Sequence, residues 1–464
     1  MPNTTTTSDP FRTERSALCS FKCSSSKSSP VKRGRLQRFR SEPRFMAAYA
    51  LWSLGVLLAA CSDAPLSVGS NEVTLEHGAC GNGIVTSSVT VKQQADADAL
   101  LDCTEIQGDL TIEAPAEVSL AALGSLRIVH GGVSIENLAS LAGLKALEQA
   151  NGLELLNLAA PDLGPLAGMQ RVAWDADSGR LSGGEIEIAG CDNLKDLTGL
   201  DNLRTWSELA VTANAALESL SGLQSPRIVN SVQIDSPLLS DISALQEIQR
   251  AQTFVLTATA VERFKRFSLS WVGSLTLEQN PALLDLLGLP QLSTVGDLVI
   301  RNNASLKDVQ LPLLRDCDSI SITDNAVLET VPAYATYSTQ VNPPELMDAP
   351  IVFGRPRLYE VGNNPRLTAV AGPNSYVNVQ MVAIWGNPRL AGIDLRYLSQ
   401  ADALVIRDNA ALDQLQIDQL ASVDNLQVIN NPALTTSAFS SVHTFSSTIS
   451  GNLDPPASSN APLP

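Results

Sequence analysis

Histidine is nearly missing from this chain, with three in 464 residues. His130 and His443 stand without a Cys, His or Asp at metal-ligand spacing and His77 has only Cys80 three residues on, too few ligands for the usual metal centre. The sequence also lacks a Gly-x-Ser-x-Gly elbow and a phosphate-binding glycine loop. Aromatic residues make up only 5% against 44% apolar, so the core is one of Leu, Ile, Val and Ala. Basic residues are few. Residues 1–60 hold 10 Lys+Arg and 3 Asp+Glu, which leaves 21 basic and 45 acidic residues beyond them, a net of −24. Such a body repels polyanions and argues against a nucleic-acid partner. Long apolar runs are absent apart from Met46 to Ala60, which at 15 residues is short for a membrane span and suited to a signal-peptide core.

What the chain does have is a period. Seven segments place an Asn three residues after a β-type apolar residue and a Leu three residues further on. They are Leu277-Asn280-Leu283, Ile300-Asn303-Leu306, Ile322-Asn325-Leu328, Val361-Asn364-Leu367, Ile384-Asn387-Leu390, Ile406-Asn409-Leu412 and Val428-Asn431-Leu434. Successive asparagines lie 22 or 23 residues apart, except for a gap of 39 between Asn325 and Asn364. A period of this length predicts a solenoid, in which no coil buries its apolar face alone. Alternation at Leu298 and Ile300 predicts one short strand per coil, opened by a corner residue such as Gly273, Gly296, Asp318, Asp402 or Asp424. Stacked strands form a parallel sheet, and the asparagines form a buried ladder that serves backbone groups at the turn.

Weaker lettering extends the frame backwards. Ile112, Ile135, Leu155, Ile188, Val211, Ile234 and Leu256 take the strand position, with Pro115, Leu138, Leu158, Cys191, Asn214, Pro237 and Thr259 at the ladder position. The reading is a mainly β, β-helix-like solenoid of about fourteen coils, roughly 65 Å long at the strand spacing. It occupies residues 80–450, with insertions near 173–183 and 333–357 and a Pro-rich tail at 451–464. Phe439, Val442, Phe445 and Ile449 are expected to close the final coils.

The N-terminal portion reads as an extension and signal peptide over 1–60 and a linker over 61–79, with the true start placed near Val31. Leu58-Ala59-Ala60-Cys61 resembles the bacterial lipobox, in which the cysteine is lipidated and becomes the new amino terminus. That resemblance implies a membrane anchor at Cys61, and Ser62 after it implies the outer membrane, with the solenoid facing the cell surface or the periplasm. Cys80 and Cys103 bracket the segment before the first coil, where a bridge would close the open end of the solenoid. A zinc site is the rival reading and lacks further ligands. Cys191 and Cys317 lie on the order of 24 Å apart at the strand spacing, beyond disulfide reach, and read as buried thiols.

Gly108-Asp109-Leu110-Thr111-Ile112 after Cys103-Thr104-Glu105-Ile106, and the run Leu289 to Ile300, resemble receptor L domains, the leucine-rich right-handed β-helical modules of growth-factor receptors. Similar repeats occur in bacterial surface lipoproteins. The resemblance implies a Cys80–Cys103 disulfide over the first coil. The chain has more coils than one L domain and no cysteine-rich module, so the receptors' ligand residues are not carried over. Ordinary leucine-rich repeats are the neighbouring alternative, with a different Asn-to-Leu spacing.

The functional expectation is a non-catalytic, cofactor-free recognition or adhesion protein for a protein or glycan ligand. Tyr334, Tyr337, Phe353, Arg355 and Arg357 of the longer insertion are its candidate contacts, since aromatics and Arg dominate binding hot spots. A structural envelope role is the alternative, and a β-helix carbohydrate enzyme using Asp318, Asp402 and Asp424 is the third reading. Asp175 and Asp177 resemble half of a calcium loop whose closing Glu is absent.

Overall fold

Each coil begins with alternating β-formers, and in the computed structural model these stack into one long sheet. The structure describes residues 80, 82–173, 184–334, 356–372 and 377–453. Sixteen parallel strands follow one another in chain order from Val89–Val91 to His443–Ser450. The fourteen strand positions read from sequence occupy one register: Ile112 lies beside Ile135, Ile188 beside Val211, Leu277 beside Ile300, and Ile322 beside Val361 across the 39-residue gap. The chain is a parallel β-solenoid. Sixteen strands make fifteen turns, against the fourteen coils expected, because Val91 precedes Ile112 in the register and Ile449 follows Val428.

Shorter strands build the other walls. Ile84–Val85, Glu105–Ile106, Ile128–Val129, Gln149–Ala150 and Arg171–Val172 form a five-stranded sheet beside the first coils. Thr330–Val331, Ala369–Ala371, Gly392–Asp394 and Gln414–Gln416 form a four-stranded one beside the later coils. Between the walls lies a continuous core in which Leu110, Leu277, Leu298, Ile300 and Leu412 are fully buried. Phe254, Phe264 and Phe267 cluster midway, with ring centroids 5.1–6.4 Å apart.

The opening corner differs from expectation in the later coils. There it lies inside an eight-residue strand as a kink: Val272 pairs with Val295 and Ser274 with Asp297, while Gly273 and Gly296 are skipped. Glycine suits this place because the coils approach closely. A Cβ on Gly273 would stand 2.6 Å from the Gln252 carbonyl oxygen.

The Asn-to-Leu spacing has a local cause. The residue before each ladder Asn has positive φ, as at Asn302 (58°), Asp324 (60°), Asn363 (51°), Asp408 (59°) and Asn430 (56°), which turns the chain sharply off the sheet. The next residue, the ladder Asn, accepts at its backbone carbonyl from the Leu three residues on, as in Leu306 N–H to Asn303 O at 3.2 Å. This closes a β-turn that swings the Leu inward, and after Asn280, Asn364, Asn387 and Asn431 comes Pro, where φ is preset and no ladder donor is required.

Between coils the Asn side chains take over. Asn280, Asn303, Asn325, Asn364, Asn387, Asn409 and Asn431 are all fully buried. In each, Oδ1 accepts from the backbone N–H of the preceding coil's ladder residue, starting with Thr259 to Asn280 at 3.1 Å, then Asn280 to Asn303 at 3.0 Å. Each Nδ2 donates to a strand carbonyl of the preceding coil, as Asn303 does to Leu277 at 2.9 Å. Asn452 continues the series, its Oδ1 3.0 Å from the Asn431 nitrogen. The tail therefore does not begin at 451, since Asn452 and Leu453, which pairs with Thr435, belong to the last coil. Asn214 makes the same contact with Cys191 N–H at 2.8 Å, and Pro237, lacking an N–H, interrupts the series.

Candidate binding surface

Of the candidate contacts, Tyr334 is not on a binding surface. It is 2% exposed, its hydroxyl donates to the Val309 carbonyl at 2.5 Å, and burial holds its phenol well above the usual range. Its side chain fills the core at the point where the insertion leaves the rod. Arg357 is half exposed but engaged, donating from Nε to Asp318 (2.5 Å) and from Nη2 to Asp297 (2.6 Å). Asp318 lies directly opposite Arg357 in the sheet, and Arg357 and Gln380 separate it from Asp402, so the three corner carboxylates do not converge. Tyr337, Phe353 and Arg355 lie outside the described residues, as do Cys61, Asp175, Asp177 and His77.

Cys80 and Cys103 are disulfide-bonded, with Cα atoms 5.5 Å apart. Cys191 and Cys317 are buried free thiols, both pushed up by burial. His130 meets Glu105 at 2.8 Å. Among the described residues, no three His, Cys, Asp or Glu side chains gather as a metal site would require.

The outer face of the long sheet divides into two regions by what its outward positions carry. In the first half they include stacked acids: Glu154 lies opposite Glu187, and Glu185 opposite Glu208. Like charges held side by side raise the cost of ionisation. Burial pushes the Glu185 carboxyl above the usual carboxylate range, and Glu208, Glu187 and Glu154 push it further.

In the second half the outward positions turn apolar over three adjacent coils. Leu358, Met381, Ala383, Ala403 and Val405 occupy places that hold Ser or Thr elsewhere, such as Ser319, Ser321, Thr253 and Thr276; Leu358, Met381 and Ala403 are part exposed, while Ala383 and Val405 are buried. Trp385 sits among them. A Cβ on the neighbouring Gly362 would stand 2.3 Å from the indole, so only glycine leaves room for the ring against the sheet. The indole N–H donates to Glu360 Oε1 at 3.0 Å, and Ser321 fixes the other carboxylate oxygen at 2.8 Å. The Arg407 guanidinium carbon lies 5.4 Å from the ring centroid, within cation–π range. Trp385 is thus held in one pose by three coils and remains part exposed.

No family model matches the chain, and no curated protein does. Among solved structures it is similar to a leucine-rich repeat protein from Bacteroides ovatus, at 11% sequence identity and a TM-score of 0.24, over 77% of this chain and 87% of that one.

The patch around Trp385 was missed in the sequence reading, although a signal exists. Met381-Val382-Ala383-Ile384-Trp385 is apolar at every position, where a strand with one wet face should alternate. The unbroken run marks an outward face that is not built for water.

Proposed function

We propose that the chain is a non-catalytic recognition scaffold, a stiff solenoid that presents the Trp385 patch to a protein or glycan ligand. The carrying observation is the preorganised, part-exposed indole, braced by Gly362, Glu360 and Arg407 beside the part-exposed Leu358, Met381 and Ala403. A rigid aromatic loses little entropy when it is bound, and Trp and Arg are the side chains that dominate hot spots. An extended sheet face also suits broad contact, as in other repeat proteins. In this reading the chain is lipidated at Cys61, anchored to the outer membrane of a bacterium, and joined to the rod through the 61–79 linker, with no nucleic-acid partner and no cofactor.

The test uses the full chain and its Trp385→Ala variant, immobilised side by side and probed with a glycan array and with solubilised surface proteins. Retention by the original chain that falls at least about tenfold in the variant supports the reading. Equal retention, or none by either, overturns it. Protease shaving of intact cells tests the location: rod peptides released before the outer membrane is breached mean surface display, and protection until lysis removes adhesion.

A further inference from the structure

The two ends of the rod are built differently. At the first strand the inward residues are sealed, with Val89 2% and Val91 0% exposed. The short helix Gln94–Asp98 buries Ala97 beside them, and the Cys80–Cys103 bridge ties the segment down. At the last strand, His443–Ser450, every residue is exposed. Ile449 continues the inward column of Val428 and Ile406 yet is 43% exposed, and Leu453 is 49% exposed. Phe445, expected to close the core, instead takes the outward corner register of Asp402 and Asp424 and is 92% exposed. The outer edge of this strand pairs with no described strand.

Charge vanishes at the same place. From Asn425 to Leu453 there is no Asp, Glu, Lys or Arg, in a chain that is 17% charged. Edge strands that must stay unpaired are normally protected by Lys or Pro. This edge has neither. Ser and Thr take the place of charge along this edge, and Phe445, Ile449 and Leu453 stand exposed among them as apolar anchors on an uncharged, hydrogen-bonding surface.

We propose that this end is a self-association surface, on which two copies pair His443–Ser450 antiparallel about a two-fold axis, end to end. A second copy is the occupant the observations favour. It brings an edge of the same length with the same unpaired groups, and it brings no charge to bury. The nearest acids of the two described ends, Asp424 and its counterpart, would be about three strand spacings apart, roughly 14 Å and beyond the screening length of about 8 Å. The first strand offers only the three residues Val89–Val91 beside the Gln94–Asp98 helix, too short an edge to match eight residues, so association closes at two copies and does not run on as a filament. The strand is about 26 Å long and the coil end roughly 20 Å across, which gives on the order of 1,000 Å² in total, at the lower limit for specific interfaces. The dimer is therefore reversible.

Sedimentation velocity of the full chain, in mild detergent so that the 46–60 run cannot drive association, should show a monomer–dimer equilibrium as concentration rises. Phe445→Asp, which repeats the acid found at that register in the two preceding coils, and Ser446→Lys should each shift it to monomer with the melting temperature unchanged. Amide exchange read on the unmodified chain covers the case of a misfolding variant: residues 443–450 should gain protection with concentration, and Ile228–Asp235 should not. A monomer at every concentration, a dimer indifferent to both substitutions, open-ended oligomers, or an edge that stays unprotected as dimer forms would each overturn the proposal.

Discussion

The side-chain oxygen of Asn303 lies 3.0 Å from the backbone nitrogen of Asn280, 23 residues earlier, with both residues fully buried. The same amide donates to the Leu277 carbonyl at 2.9 Å. One side chain therefore satisfies two main-chain groups of the coil before it. At a buried turn, neither group has water as an alternative.

Asn303→Ala strands both groups and should cost roughly 2–6 kcal/mol, given about 1–3 for each buried unsatisfied group. Asn452→Ala, at the half-exposed end of the ladder where water can enter, should cost under about 1 kcal/mol. Denaturant unfolding of the two variants measures the contrast. Equal losses would mean that the ladder is not what holds the turn.

Ala258 sits at φ 50° at the turn position filled in most other coils by Asn, Asp or Gly. A Cβ in the left-handed region costs about 1–2 kcal/mol, partly offset by the restriction it places on the unfolded chain. Ala258→Gly should stabilise the protein by about 0.5–1 kcal/mol. A lowered thermal midpoint would show that the Ala258 methyl makes contacts that outweigh the strain.

The Glu185 carboxyl is raised above 4.5 by burial first and then by Glu208, Glu187 and Glu154. The folded state thus keeps a proton that the unfolded chain has already released. Stability contributed by this group falls as pH rises from about 4.5 through the folded value, and the penalty is constant above it. Glu187→Gln should raise stability at neutral pH by several tenths of a kcal/mol, and the gain should fade as the pH is lowered through the carboxylate range. Melting temperatures of both proteins across that range provide the check. A gain that persists at low pH would assign it to packing.

Arg357 neutralises Asp318, whose side chain is only 13% exposed, and Asp297 beside it. Arg357→Ala leaves two adjacent carboxylates and should destabilise by about 1–2 kcal/mol, while leaving ligand retention unchanged. Reduced retention with unchanged stability would return Arg357 to the binding surface where the sequence reading had placed it.

The order of residues made the coil legible because its causes are local or periodic. The Asn303–Leu306 turn closes within four residues, the strand alternation at Leu298 and Ile300 spans three, and stacking repeats both, so register follows from counting. Even the bridge across the long insertion keeps that register, with Asn325 bonded to Asn364 at 2.9 Å. The surface followed another rule. Tyr334 is buried because it reaches Val309, 25 residues back, and Trp385 is held by Glu360 and Gly362 on the coil before and Arg407 on the coil after. Aromatic type alone could not tell these two residues apart. A repeat specifies where a side chain starts and which way it points, whereas what it meets depends on neighbours a full coil away. Those are brought together only when the coils stack.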